Sequence, residues 1–294
     1  MDLPDSVMIT EVGPRDGLQN EPEVVSVDDK VRFIDLLSDC GFPEIEVTAF
    51  VSPKWVPQLA DAADVLARIT RRPGVTYSAL VPNLEGWHRA ADAGVDKVAV
   101  FTAASETFSQ RNTNASIAET LTRFEPVIAA AHEAGCPVRG YVSCVVACPY
   151  EGPIAPEQVA AVIRSLGTIG VDEIDLGDTI GVAEPSDIES LLDAVGSLSA
   201  VEDLVLHLHD TQGRAVDCCT RAMERGVRRF DTSCAGLGGC PYAPGATGNL
   251  ATEALVARCT ELGVTTNIDP TALDAAATAI ENSLGRSLPG RNAG

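Results

Sequence analysis

Short apolar runs of strand length alternate with longer stretches whose apolar positions recur every three to four residues, and this alternation continues along nearly the whole chain. Strands are predicted at Val7–Val12, Glu44–Thr48, Val75–Val81, Lys97–Phe101, Val138–Val145, Glu173–Asp178, Leu204–Asp210 and Arg228–Thr232. A helix begins at Ser26, with Asp29 three residues on as a capping signal. It carries Val31, Ile34, Leu36 and Leu37 on one side and stops at Gly41. Further helices are predicted over Ala60–Ile69, Leu84–Ala93, Ser116–Ala134, Pro156–Leu166, Ser186–Val195, Ala215–Arg225 and Leu250–Leu262, and a last one, Pro270–Ser283, has no strand before it. Thr102–Asn114 reads as a long polar loop, Cys148–Pro156 as a Pro- and Gly-punctuated loop, and Gly290–Gly294 as a frayed end.

Eight strand–helix units in series predict an α/β fold, a parallel (β/α)8 TIM barrel with an extra C-terminal helix. The barrel spans about residues 7–263 and the helical extension about 264–294, all in a single domain. An open doubly wound sheet is the alternative, but no GxGxxG follows the first strand. The length of 294 residues suits one such barrel.

The formal charge of -21 sets up a field that repels nucleic acid and anionic membranes in general. An anionic substrate would therefore need a locally positive site. No apolar run is long enough to cross a membrane, and the amino terminus shows no presequence pattern. The nine cysteines are odd in number and form no CxxC pair, which fits reduced thiols in a cytoplasmic protein. Cys218 and Cys219 fall within a helix and are read as packing residues.

In such a barrel the reactive face is the carboxyl end of the strands. The residues predicted there are Arg15 and Asp16, Glu46, Ser143 and Cys144, Asp178, His207 and His209, and, beyond the last strand, Cys240 and Asn249. His207 and His209 are two apart, so a strand points both imidazoles the same way. They are half of a metal site or two hydrogen-bonded interior histidines. Asp16 completes a set suited to an octahedral divalent ion, or is a turn residue beside Gly17. Arg15 is an oxyanion or carboxylate partner, or a surface charge. Of Glu44 and Glu46, one is expected near the barrel axis, paired with Arg15 or the metal. The Gly-rich stretch Ala235–Gly248 is a flexible connector or a lid, with Cys240 as an exposed thiol. Asp28, Asp29, Asp61, Asp64 and Glu189 are read as solvated helix faces.

Longer motifs add to this. Glu11–Asn20 (EVGPRDGLQN), Phe50–Gln58 (FVSPKWVPQ), Tyr141–Val145 (YVSCV), Cys148–Gly152 (CPYEG), Gly177–Gly181 (GDTIG) and Gly236–Ala246 (GLGGCPYAPGA) with Gly248-Asn249 resemble the hydroxymethylglutaryl-CoA lyase family. These motifs run in the family's order from about Ile9 to Glu253. The resemblance implies a barrel lyase that uses Mg²⁺ or Mn²⁺ to cleave 3-hydroxy-3-methylglutaryl-CoA, or a related 3-hydroxy-3-alkylglutaryl-CoA, to acetyl-CoA and a 3-oxo acid. It implies Asp16, His207, His209 and Asn249 as metal ligands, and Arg15 at the developing enolate oxygen. Cys240 would be the thiol of proton transfer, assisted by His207, while Glu46, Asp178 and Gln19 would support the site. It also suggests a homodimer. Pro22 stands where relatives carry a Lys near the CoA phosphates, and Ala147 where a Gly is usual. The alternatives are a condensing acyltransferase of the isopropylmalate or homocitrate synthase type, and a silent metal- or CoA-binding barrel. The former usually carries further C-terminal domains and lacks the Cys240 loop sequence.

Overall fold

The predicted strands close on one another in the computed structural model, which describes residues 3–239 and 248–292. They are β1 (Met8–Glu11), β2 (Glu44–Ala49), β3 (Thr76–Leu80), β4 (Lys97–Ala103), β5 (Val138–Ser143), β6 (Glu173–Asp178), β7 (Val205–Leu208) and β8 (Arg229–Thr232). Their spatial order is β1-β8-β7-β6-β5-β4-β3-β2, closed on itself, with every neighbouring pair parallel. The helices around them are α1 (Val27–Ser38), α2 (Ala62–Arg68), α3 (Leu84–Asp92), α4 (Glu106–Thr113), α5 (Ile117–Glu133), α6 (Pro156–Thr168), α7 (Pro185–Val195), α8 (Ala215–Glu224), α9 (Thr252–Leu262) and α10 (Pro270–Leu284). The apolar core is continuous, with Ile9, Phe33, Leu37, Val98, Leu176 and Phe230 among its fully buried members. Among the described residues no helix is long and apolar enough to cross a membrane.

Local chemistry sets the helix ends. Ser26 Oγ accepts the Asp29 amide at 3.1 Å and starts α1. Shortly after α1, Gly41 has φ +97°, and a Cβ there would lie 2.2 Å from the Asn267 carbonyl, so only glycine lets the segment before α10 pass beside α1. Asp269 caps α10 by accepting from Thr271 and Ala272 at 2.8 and 3.2 Å. The helix then packs along α1.

The barrel's interior carries an ionic layer rather than an apolar plug. Lys97 Nζ lies 2.9 Å from Glu44 Oε2 and 2.7 Å from Glu173 Oε1. Arg139 donates to Glu173, to Asp231 Oδ1 at 3.0 Å and to Glu44 Oε2 at 3.3 Å. Each charge removed from water here faces an opposite one, as burial demands.

Several expectations need correction. Glu44 and Glu46 both enter the interior, since residues two apart on a strand share a face. Thr102–Asn114 is not a loop: β4 continues to Ala103, and α4 follows with Ser105 Oγ accepting the Phe108 amide at 3.0 Å. This helix was hidden by its polar sequence, of which only Phe108 and Ser109 are buried. The fifth strand ends at Ser143 because Cys144 turns to φ +60°. The loop after it contains a short antiparallel hairpin with two residues on each strand, pairing Ala147 with Pro153 and Cys148 with Gly152. Residues 289–292 form a 3-10 turn instead of fraying, while residues 293–294 of that expectation lie outside the described residues; Gly290 fits against Ala235, and Arg291 NH2 donates to Thr278 Oγ1 at 3.0 Å. Asp61 is no free surface acid either: its two oxygens lie 2.9 and 2.8 Å from the buried Lys30 ammonium.

Candidate active site

A single turn at the end of β1 aims two side chains into the barrel mouth. The Val12 carbonyl accepts the amides of Arg15, Asp16 and Gly17 at 3.2, 2.7 and 3.2 Å, and Pro14 supplies a fixed φ at its start. Arg15 Nε then meets Glu46 Oε2, and its NH1 meets Asp16 Oδ1, both at 2.5 Å. Burial opposes the charge on Arg15, but Glu46 and Asp16 outweigh it and raise its pKa above the ordinary value. Arg15 is a permanent cation in a strongly anionic protein, but it is paired with two carboxylates.

His207 and His209 come up on β7, one strand away from β1 across β8, with ring centroids 5.5 Å apart. His207 Nε2 is 3.9 Å from Asp16 Oδ2, and its Nδ1 is 3.3 Å from Asp231 Oδ2. His209 lies just beyond β7, where it bridges to Asn249 on the chain returning toward α9. Backbone bonds from Asp210 to Gly248 (2.7 Å) and from Leu250 to Leu208 (3.0 Å) hold that return. Asn249 Nδ2 donates to Asp16 Oδ2 at 2.9 Å and to the Leu237 carbonyl at 3.2 Å. Asn249 thus reaches the cluster with its amide nitrogen facing the carboxylate.

The donor set suits a hard divalent cation. Ligand atoms of Asp16, His207 and His209 all lie within 4.8 Å of one another. Burial pushes the Asp16 carboxyl up, but Arg15, then His207 and His209, outweigh it and bring it down to about 2. Burial and the neighbouring His207 hold His209 near 4, so its ring is neutral, and among the described residues its Nδ1 has no hydrogen-bond partner. An ionised carboxylate beside a neutral imidazole is what such an ion requires. A second trio, Asp175, His207 and Asp231, is equally compact. There the Arg139 guanidinium already lies 3.0 Å from Asp231 and 3.5 Å from Asp175, which leaves no place for another cation.

The cluster opens into a cavity of about 800 Å³. Gln19, Asn20, Ser143 and Thr179 line it beside the charged groups, Val51, Val56, Leu80 and Phe101 supply an apolar wall, and Arg111 and Arg123 stand among its lining cations. Residues Gln110–Thr113 of α4 are part of that wall. Asp178 is separate from the cavity lining: it accepts the Ala183 amide at 2.8 Å and braces the loop after β6, with burial raising its carboxyl to about 6. Cys144 is buried, and only its neighbour Ser143 lines the cavity. Cys240 lies outside the described residues.

Two site residues had no role in the sequence reading. Tyr141 hydroxyl lies 3.2 Å from Glu46 Oε2 and 3.3 Å from Asp231 Oδ2, and Asp231 takes His207 Nδ1. The available signals were an aspartate inside a buried strand and a tyrosine two residues before Ser143, on the same face.

Comparison with known proteins agrees with this geometry. The sequence matches the HMGL-like family over residues 6–280. It is 51% identical over 293 residues to the 3-hydroxy-3-isohexenylglutaryl-CoA/hydroxymethylglutaryl-CoA lyase of Pseudomonas aeruginosa, covering 100% of this chain and 98% of that one. It is 52% identical over 267 residues to the mitochondrial hydroxymethylglutaryl-CoA lyase of Bos taurus, covering 91% and 82% of the two chains. The structure of an HMG-CoA lyase from Acinetobacter baumannii in complex with coenzyme A and 3-methylmalate superposes with a TM-score of 0.93 at 38% identity, covering 98% of this chain and 94% of that one.

Proposed function

The chain belongs to the HMGL-like family, and on that premise we propose that it cleaves 3-hydroxy-3-methylglutaryl-CoA to acetyl-CoA and acetoacetate. The observation that carries the reading is the convergence of Arg15, Asp16, His207 and His209 on the mouth of one cavity. Asp16, His207 and His209 would hold the divalent cation, Mg²⁺ or Mn²⁺. Asn249 could join them through its carbonyl oxygen if its side chain turned. When bound, the cation supplies Lewis acidity toward the substrate's oxygens.

The chemistry is a retro-Claisen cleavage. The C3 hydroxyl loses its proton as the C2–C3 bond breaks, and the bond's electron pair moves onto the thioester as an enolate. A proton returned to C2 gives acetyl-CoA, so none is consumed overall. Arg15 presents N–H groups to the enolate oxygen, held in place by Glu46. Cys240 is assigned the proton delivery to C2, with His207 assisting. Gln19 supports the substrate from the cavity wall, and Asp178 acts at a distance by bracing the β6 loop.

A longer 3-alkyl group is a second reading that one observation favours. Ala49, Leu59, Leu80, Ala99 and Tyr141, with Val51, Val56 and Phe101 against them, form an apolar cluster separate from the main core, and part of it faces the cavity. Such a wall would accept an isohexenyl-sized chain of the kind named for the Pseudomonas aeruginosa relative. With Pro22 in place of a Lys, Arg111 and Arg123 are the cations assigned to the CoA phosphates. The protein is read as a cytoplasmic homodimer, a state that sedimentation would check. The deciding experiment is a cleavage assay with hydroxymethylglutaryl-CoA and chain-extended analogues. Turnover dependent on Mg²⁺ or Mn²⁺ is expected; its absence, or condensation of acetyl-CoA with a 2-oxo acid instead, would overturn the lyase reading.

A further inference from the structure

One phenolic hydroxyl stands between the two halves of this site. Tyr141 Oη is 3.2 Å from Glu46 Oε2 and 3.3 Å from Asp231 Oδ2, yet a phenol has only one hydrogen to give. Each carboxylate has a second, functional partner. Glu46 Oε2 receives Arg15 Nε at 2.5 Å, and Asp231 Oδ2 faces His207 Nδ1 at 3.3 Å. The result is a buried chain, Arg15–Glu46–Tyr141–Asp231–His207. The Tyr141 ring packs against both ends: the Arg15 guanidinium lies 5.4 Å from its centroid, and His207 meets it edge-on at 6.1 Å.

We propose that Asp231 and Tyr141 are positioning residues: Asp231 holds His207 as the Nδ1–H tautomer, and Tyr141 keeps His207 in register with Arg15. The assignment follows from what surrounds Asp231. Its Oδ1 takes Arg139 NH1 at 3.0 Å, so both oxygens are committed as acceptors, and the imidazole must donate through Nδ1. Nε2, on the side of Asp16, is left with its lone pair facing the cavity. An ion bound by His207 or a proton handled there needs that lone pair. The role rests on the proposed lyase reading only for its consequence; the tautomer itself is a property of the metal-free protein.

The test uses that separation. The chain has four histidines, so ¹⁵N-histidine NMR of the metal-free protein, at a pH where imidazole is neutral, reports His207 after assignment with His207→Gln. Wild type is expected to show protonated Nδ1. In Asp231→Asn the side-chain oxygen must stay toward Arg139, which turns the amide N–H₂ toward His207. The ring then flips to the Nε2–H tautomer, and Mn²⁺ affinity, read by electron paramagnetic resonance, falls about 10–100-fold. Tyr141→Phe is expected to keep the tautomer and the Mn²⁺ affinity within about twofold, while kcat falls about tenfold with KM little changed. A wild-type His207 protonated at Nε2 would overturn the Asp231 role without any variant, as would Asp231→Asn with the Nδ1–H tautomer intact. Unchanged kcat in Tyr141→Phe would remove Tyr141 from the chain. Absence of lyase turnover alongside the expected tautomers would sink the lyase reading and leave this one standing.

Discussion

Asn249 Nδ2 lies 2.9 Å from Asp16 Oδ2, and this bond joins two residues 233 positions apart across the closure of the barrel. The same amide reaches the Leu237 carbonyl at 3.2 Å. Leu237 and Asn249 are therefore both tied to the carboxylate proposed to bind the cation, so metal binding and the placement of these two residues share one anchor.

Asp16→Ala and His209→Ala should each weaken Mn²⁺ binding at least about tenfold, because each removes one donor from the three protein ligands proposed. Titration calorimetry on the folded variants is the measurement. Wild-type affinity in either would place the ion elsewhere.

Gly238 has φ +108°, and a Cβ there would sit 2.8 Å from Asn249 Nδ2 and 2.9 Å from Gly17 Cα. Gly238→Ala should cost about 1–3 kcal/mol through backbone strain. It should also displace Asn249 from Asp16 and lower kcat. Urea denaturation and a parallel assay would read both, and a variant of wild-type stability contradicts the packing argument.

Arg15→Lys should lose about 10²–10³ in kcat while the fold persists. A lysine is a point charge and cannot hold Glu46 and Asp16 with separate nitrogens as the guanidinium does. Rescue by lysine would mean that charge alone matters.

Cys240→Ala should lose most of kcat and retain the affinity for Mn²⁺, since the thiol is assigned to proton transfer and not to ligation. Full activity in this variant would remove the thiol from the mechanism.

Glu11 accepts the Gly13 and Cys234 amides at 2.8 and 2.9 Å and the Thr252 hydroxyl at 3.0 Å. Burial raises its carboxyl from 4.5 to about 8 against those bonds. The folded protein keeps this proton while the unfolded chain releases it from about pH 4.5 upward. Its contribution to stability is therefore full below pH 4.5, falls between about 4.5 and 8, and then levels. Glu253, raised by burial to about 7, adds a loss of the same sign. Glu11→Gln should flatten part of that decline in denaturation curves taken across this range; an unchanged slope would rule Glu11 out as its source. Asp16 acts in the opposite sense: its contribution is present above 3.8 and is lost as pH falls through about 2.

The barrel was legible in the chain because the periods of apolar residues, two for strands and near 3.6 for helices, are local properties that repeat in eight units. The shared direction of His207 and His209, and the place of Arg15 and Asp16 just past β1, follow from the same local geometry. What only the tertiary structure decided is which of these residues meet, and in what state. Tyr141 reaches Glu46 and Asp231 across 95 and 90 positions, distances that acquire meaning only when the strands close into a ring. Helix α4 lacks an apolar stripe, so its place in the cavity wall depends on packing against its neighbours and not on its own pattern. Protonation followed the same rule. The sequence by itself names Asp16, Glu11 and His209, but burial and the partner each one finds make the first an anion, the second a neutral acid near neutral pH and the third a neutral base.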